Sequence, residues 1–532
     1  MHLPLRLATV TVALAALTGC ASLPSDRGYA ETGELIAARR GMAPPGDAGL
    51  ASAAIAAPDI PTQPVTADQA VRLAFLYNPT IRQEYARLGL GRAELEAARR
   101  LSNPSVGYSH LHSRDNGAAQ IGRSLSLSFT DLLLLPARQR FASGQLQRLQ
   151  KDVAAELLNL AKEVEVAWFA AISADQVSSM RELVASSAEH SAALAQRFFD
   201  AGNINRLQLD QEYAASAQAR IGAVRAVAEA LRARSALATL MGLPASANWT
   251  LAANLAAPPE ADFSADQLLR LALTQRLDLS AVQQEVALHE DLLGVTRRWR
   301  WLGAVEAGYN AEHEIDGDVI RGPSLTLELP IFNQGQAAIA RAQAELVDAR
   351  ARLDALSYAV HSSVSLNLER LRLARDIAER YRSVLVPRRE GIVARSQEQF
   401  NFMLIGVFEL IVAKQQAYDA YQEYLEAVRD YWTIRAELRQ SVGGRLPDDE
   451  QALEPSIGVD AVLPSTSAPM MDHSKMDHSK MDHSKMDHSK MAMPPANGGA
   501  TESPQPASPA PVPNKAQTPG DEHATHDHGD TP

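Results

Sequence analysis

Residues 121–130 read Ile121-Gly122-Arg123-Ser124-Leu125-Ser126-Leu127-Ser128-Phe129-Thr130. Leu125, Leu127 and Phe129 alternate with Ser124, Ser126 and Ser128, the period of two that gives a strand one apolar and one polar face. Asn103 to Ser113 is a second non-helical segment, and Asp115-Asn116-Gly117 between the two supplies hairpin-turn chemistry. Two hundred residues on, Gly322-Pro323-Ser324-Leu325-Thr326-Leu327 repeats Gly122-Arg123-Ser124-Leu125-Ser126-Leu127. There Gly303 to His313 and Val319 to Leu329 flank Asp316-Gly317-Asp318. Each segment is close to the roughly 9 to 11 residues of a membrane-spanning strand. On pattern alone, a pair of soluble hairpins reads the same way.

The repetition extends well beyond the hairpins. Thr66-Ala67-Asp68-Gln69-Ala70-Val71-Arg72-Leu73-Ala74 returns as Ser264-Ala265-Asp266-Gln267-Leu268-Leu269-Arg270-Leu271-Ala272, and Gly107-Tyr108 returns as Gly308-Tyr309. Such self-similarity marks a duplicated unit. It bounds two halves at about 66–243 and 264–444, joined by the Pro- and Ala-rich linker 244–263. No proline occurs from Ala137 to Leu243, and Pro387 alone interrupts Ile331 to Leu446. Leu146, Leu149, Val153, Leu157, Leu160 and Val164 recur at steps of three and four, as do Leu346, Ala349, Leu353, Leu356, Val360 and Val364. That spacing is a coiled-coil seam. Breaks at Ala201-Gly202-Asn203 and near Leu404-Ile405-Gly406 predict the turns of helical hairpins.

Helix over 132–199 would reach on the order of 100 Å, whereas returns over 205–242 and 66–101 cover roughly 57 and 52 Å. The two shorter helices, end to end, therefore match the long one. The fold class expected is mainly α with a small β part: long coiled-coil hairpins plus four membrane-spanning strands per chain. Four strands cannot close a barrel, and lipid does not tolerate open sheet edges. The sheet must then close with other copies, and three chains give 12 strands in a trimeric barrel joined to an α-helical tunnel.

Charge and composition exclude several other classes. The net charge is −12, and the segment after Gly444 contributes eight of those excess negative charges, so no basic footprint for nucleic acid exists. One cysteine excludes a disulfide framework and a thiolate zinc site. Leu88-Gly89-Leu90-Gly91 lacks the third glycine of a dinucleotide fingerprint, and His289-Glu290-Asp291-Leu292-Leu293 lacks the second histidine of a zinc protease. No nucleophilic constellation is present, so the chain does not read as an enzyme. Trp168, Trp299, Trp301 and Trp432 lie on apolar stretches; the middle pair precedes a proposed spanning strand, where an interfacial place suits them.

Residues 1–19 form a signal peptide, basic at Arg6 and apolar from Leu7 to Leu17. The end of this segment, Leu17-Thr18-Gly19-Cys20, resembles a bacterial lipobox, which makes Cys20 the lipidation site and 20–65 a lipid-anchored linker.

Over about residues 66–444 the chain resembles the TolC-like outer-membrane efflux family. The resemblance rests on Leu76-Tyr77-Asn78-Pro79 and its counterpart Arg276-Leu277-Asp278-Leu279, and on Leu329-Pro330-Ile331-Phe332-Asn333-Gln334-Gly335 after the last strand. Asp430-Tyr431-Trp432 and Gly443-Gly444 add to it. It implies a homotrimer in the cell outer membrane, a helical tunnel in the periplasm, and a periplasmic adaptor and an inner-membrane pump as partners. It also implies an acidic gate beside the second helical tip. Glu409 matches the first acidic position and Val412 replaces the second, while Asp200 lies beside the first tip. The plain alternative for Glu409 is a solvated helix face.

Residues 445–532 form a Met/His/Pro-rich tail that reads as disordered. Met471-Asp472-His473-Ser474-Lys475 repeats four times. The soft and imidazole donors are Met471, His473, Met476, His478, Met481, His483, Met486, His488, Met491 and Met493, followed by His523, His526 and His528. Thioether sulfur suits Cu(I) and, by the same softness, Ag(I). No cofactor is required. The reading is an outer-membrane efflux conduit for copper or silver ions, similar to the outer-membrane subunits of copper and silver exporters. The alternatives are a channel for drugs or organic compounds whose tail buffers metal, and a pore-less periplasmic coiled-coil lipoprotein that binds metal.

Overall fold

The computed structural model describes residues 28–46, 49, 59–112, 119–244, 246–252, 254–260, 262–314 and 316–447. The chain divides into two units, Met1–Ser465 and Thr466–Pro532, and every described residue belongs to the first. The signal peptide, Cys20, the Asp115-Asn116-Gly117 turn and every methionine and histidine named in the tail lie outside the described residues.

Helix α1 (Tyr29–Arg40) precedes the first half, which comprises α2 (Ala67–Tyr77), α3 (Pro79–Arg99), β1 (Ser105–His112), β2 (Ala119–Ser128), α4 (Phe129–Asp200) and α5 (Arg206–Met241). The second half repeats the series as α6 (Ala265–Gln275), α7 (Leu277–Trp299), β3 (Val305–His313), β4 (Val319–Leu327), α8 (Gln336–Arg380), a π-helical turn Tyr381–Leu385, α9 (Val386–Asn401) and α10 (Val407–Val442). With 72 residues, α4 is roughly 108 Å long at 1.5 Å per residue.

The single helix expected over 66–101 is two helices. Pro79 lacks an N–H and disfavours helical backbone at the residue before it, so Asn78 is extended and its Oδ1 accepts the Thr80 N–H at 2.8 Å to start α3. Likewise, the long helix of the second half passes through a π-turn immediately before Pro387, where the missing N–H and the ring displace the ladder.

The duplication is legible in detail at this junction. Asn78 Nδ2 donates to the Leu240 carbonyl at 2.8 Å, and Arg276 Nη1 donates to the Ser441 carbonyl at 3.0 Å. In each half a side chain from the break between the short helices satisfies a last-turn carbonyl of the returning helix. The left-handed glycines that end those helices, Gly242 (φ 72°) and Gly443 (φ 81°), face the same breaks. A Cβ on Gly242 would sit 2.4–2.6 Å from backbone atoms of Tyr77 and Asn78. One on Gly443 would lie 2.8–2.9 Å from backbone atoms of Arg276.

The first half buries Val71, Phe75, Ile81, Tyr85, Leu88, Val153, Leu157 and Val164 in one core. A second core gathers Val360, Val364, Leu368, Tyr421, Tyr424, Val428, Tyr431 and Trp432. Trp168 packs against both, and Phe169 stacks on Trp432 at 5.8 Å between ring centroids. Each indole also holds a linker: Trp168 Nε1 donates to the Val65 carbonyl and Trp432 Nε1 to the Ala256 carbonyl.

Candidate functional site

The four strands form one antiparallel sheet in the order β1-β2-β3-β4, so the two hairpins pair through β2 and β3 while β1 and β4 remain edges. Directly opposed residues share a face. One face carries Val106, Leu125, Leu127, Val305, Ala307, Tyr309, Pro323, Leu325 and Leu327. The other carries Ser105, Gly107, Ser109, Ser124, Ser126, Ser128, Gly308, Asn310, Ser324 and Thr326, together with Glu306 and Glu312 and, at the hairpin end, Leu111 and Ile320. Its polar side chains bond across strands: Ser105 Oγ and Ser126 Oγ lie 2.7 Å apart, and Gln120 donates to Glu312.

The apolar face is open rather than packed, with Val106 79% and Leu325 72% exposed. Its apolar character continues below the strands in exposed Phe129, Trp301, Leu329, Ile331 and Phe332. A sheet with one oily and one small polar face, and unpaired edges, is stable in neither water nor lipid as a single chain. Among the described residues no helix is long and apolar enough to cross a membrane.

At the far ends of the long helices the two tips differ. In the first, Gly202 (φ 75°) takes the left-handed position after α4 and Asn205 caps α5, accepting the Gln208 N–H at 2.9 Å. The second turn lies at 402–405, as the break near Leu404-Ile405-Gly406 predicts, and its left-handed residue is Met403 (φ 57°), the one non-glycine residue with positive φ among the described residues. Gly406 is extended and precedes α10. Phe402, Met403 and Leu404 stand out from this tip, Met403 being 92% exposed.

Both sequence-nominated gate acids lie at these tips. Glu409, exposed in the first turn of α10, accepts the Gly406 N–H, as an acid at a helix N-terminus does. Asp200 ends α4, exposed, and accepts from Gln196 Nε2 at 2.7 Å. Each is held by its own helix end.

Sequence reasoning missed a third feature, a buried charge cluster where the halves meet. Glu165 of α4, 4% exposed, accepts Arg40 Nη2 at 2.7 Å and Arg439 Nη1 at 2.9 and 3.1 Å. Arg445 Nη2 donates to the Arg40 carbonyl, and Arg39 Nε donates to the Gln275 carbonyl at 2.7 Å. A cavity of about 250 Å³ opens beside them. Burial pulls the Arg39 guanidinium below its usual value. The cluster ties α1, both halves and the start of the C-terminal segment together. A glutamate beside the seam residue Val164, between Val164 and Val166, was the available signal. Among the described residues no group of three or more His, Cys, Asp or Glu could hold a metal ion.

No family model matches the chain. By sequence it is similar to the protein CyaE of Bordetella pertussis, 27% identical over 365 residues that span 64% of this chain and 77% of that protein. Among solved structures, CusC, described for the conformational changes that accompany folding and transmembrane channel formation, matches with a TM-score of 0.61 at 15% identity. That match covers 73% of this chain and 98% of CusC. The CmeC outer membrane channel of Campylobacter jejuni matches at 0.62 with 14% identity, covering 72% of this chain and 87% of its own. The open state of the MtrE outer membrane channel of Neisseria gonorrhoeae matches at 0.60 with 16% identity, covering 73% and 91%.

Proposed function

We propose that this chain, whose fold is that of the TolC-like outer-membrane channels, is the outer-membrane channel subunit of a tripartite efflux system. In this reading it is a passive conduit from periplasm to exterior, with no catalytic step. The observation that carries it is the open, two-faced sheet. Three copies joined β1 to β4 leave no edge, turn the Ser- and Gly-rich face to a water-filled lumen and the Val- and Leu-rich face to lipid.

The helices support the same closure. On α5, Leu207, Ile221, Val224 and Leu231 are exposed, and on α8 so are Val347, Tyr358, Leu366 and Leu373. These are apolar stripes at helical spacing with no partner element in the same chain, suited to packing between copies. The lipid anchor at Cys20 holds the chain to the membrane, and the helical tips face the periplasmic adaptor and the inner-membrane pump.

Copper or silver is the cargo, on the strength of the tail. Its four Met-Asp-His-Ser-Lys repeats put soft thioether and imidazole donors on one segment, and many weak sites on one chain raise the local ligand concentration. The tail collects ions in the periplasm and does not line the pore. Protein extracted in detergent is expected to have the mass of a trimer and to conduct ions across a planar bilayer. A stable monomer without conductance would support the pore-less coiled-coil alternative instead.

A further inference from the structure

The apolar face of the sheet changes chemistry in ordered rows from the helix end to the hairpin end. Leu127, Ala307 and Leu325 form one row; Val106, Leu125, Tyr309 and Pro323 the next; then Tyr108, Arg123, Ala311 and Arg321; then His110, Ile121, His313 and Val319. His112 follows beyond, its ring 4.3 Å from that of His110. Apolar side chains thus take in Tyr309, then give way to a row of Tyr108 and two arginines, and then to one in which His110 and His313 alternate with Ile121 and Val319, all on the side that faces outward from the proposed lumen.

Charge on a lipid-facing strand is costly at the middle of a bilayer and tolerated near its surface, and tyrosines favour that boundary. The arginine row therefore lies near the bilayer surface rather than at its middle. Arg123 and Arg321 are exposed, and among the described residues neither has an ion pair or a side-chain hydrogen bond. Carboxylates on the strands point away from them: Glu306 and Glu312 lie on the opposite face, where Glu312 is engaged by Gln120. The acids of the β3–β4 turn, Glu314, Asp316 and Asp318, follow the ends of the strands.

Two strand spacings, about 10 Å, separate the arginine backbones. Between them Ala311 offers only a methyl group, which leaves a floor over which both guanidinium forks can reach one group. Such forks match the oxygens of a phosphate, and His110 and His313 one row beyond add further N–H donors.

We propose that the Arg123–Ala311–Arg321 row binds the phosphate-bearing headgroup of a lipid in the leaflet at the hairpin end of the sheet. That lipid's acyl chains lie along the Leu127, Leu325 and Val106 rows below. The placing of this face against lipid, and of its hairpin end in the exterior leaflet, rests on the channel reading above.

Native mass spectrometry of the detergent-solubilised protein tests this with two probes, lipid A carrying both phosphates and the same lipid with both removed. Retention is counted per chain, so it is read whatever the oligomeric state. Wild-type protein is expected to retain the phosphorylated lipid at least fivefold more than the dephosphorylated one. Arg123→Gln with Arg321→Gln should abolish that difference, Arg123→Lys with Arg321→Lys should keep part of it, and Arg225→Gln on α5 should leave it unchanged. Far-UV circular dichroism checks that each variant keeps its helical content. Equal retention of the two lipids by the wild type, or equal phosphate preference in wild type and the folded double Gln variant, overturns the proposal. Planar-bilayer conductance is measured on the same samples; its absence in the wild type counts against the channel and not against the lipid seat.

Discussion

Glu165 is a buried acid of the described residues whose loss bears directly on stability. Its buried carboxylate serves guanidinium groups from α1 and α10 at once. Removing one member of a buried ionic cluster leaves the rest desolvated without compensation, so Glu165→Gln is expected to cost about 3 to 5 kcal/mol, read as a fall in the urea midpoint. Exchanging Arg40, Glu165 and Arg439 together for apolar residues of similar volume should restore most of it. A second residue titrates against stability. Asp152, half-buried between α4 and α7, has its carboxyl pushed up by burial, against the pull of Arg148 3.7 Å away. Between the ordinary Asp value and this raised value the native state holds more protons than the unfolded state. Stability therefore falls as pH rises through that window, and the loss persists at neutral pH. Asp152→Asn should remove the slope from a series of melting curves and leave the neutral-pH protein at least as stable. At the tip, Glu409 is the sequence-nominated gate residue, and Glu409→Gln should weaken cation preference and divalent block from the periplasmic side. The same substitution keeps a side-chain acceptor for the Gly406 N–H, so unchanged selectivity would leave Glu409 a helix cap and no more.

Among the elements, the strands and the long helices were the most legible from sequence, because both announce themselves through period. Leu125-Ser126-Leu127-Ser128 and the three-and-four seam from Leu146 to Val164 are local patterns, and β2 and α4 follow them. What the sequence concealed is set by partners distant along the chain. The pairing of β2 with β3 brings Arg123 level with Arg321 across 198 positions, and Glu165 meets Arg439 across 274. No local pattern encodes such a meeting. The second tip falls where the break near Leu404-Ile405-Gly406 predicts it, between helices ending at Asn401 and beginning at Val407; only the left-handed residue, Met403, carries no sequence signal. The glycines that could be trusted are Gly242 and Gly443, since each combines a left-handed φ with a backbone contact that excludes a Cβ. Gly242→Ala and Gly443→Ala should each destabilise by more than the roughly 1 kcal/mol of a left-handed alanine, because the short-helix break must also move. Thermal unfolding of the two variants should show similar losses, as equivalent positions of a duplicated unit predict.

At the scale of the whole molecule, the segment after Gly444 touches the folded halves through Arg445, which donates to the Arg40 carbonyl, and through buried Leu446. Truncation after Gly444 removes no described strand or helix, so the shortened protein should keep the oligomeric state and conductance of the full chain. Cells carrying it should tolerate copper and silver less well, and a peptide spanning Met470 to Met493 should bind several equivalents of Cu(I). Imidazole must be deprotonated to bind whereas thioether is neutral at any pH, so acidification through about pH 6.5 should cost the His contribution first. Equal tolerance in truncated and full-length strains, with no Cu(I) uptake by the peptide, would reduce the tail to a spacer. The two unlike tips have a consequence of their own. In a trimer the duplicated halves place six helical turns around one ring, which is sixfold by backbone and only threefold by chemistry. Gly202 and Asn203 present a small polar knuckle, and Phe402, Met403 and Leu404 an oily one, in alternation. A hexameric ring docked there would meet two inequivalent environments, so identical subunits would bind in alternating strong and weak registers.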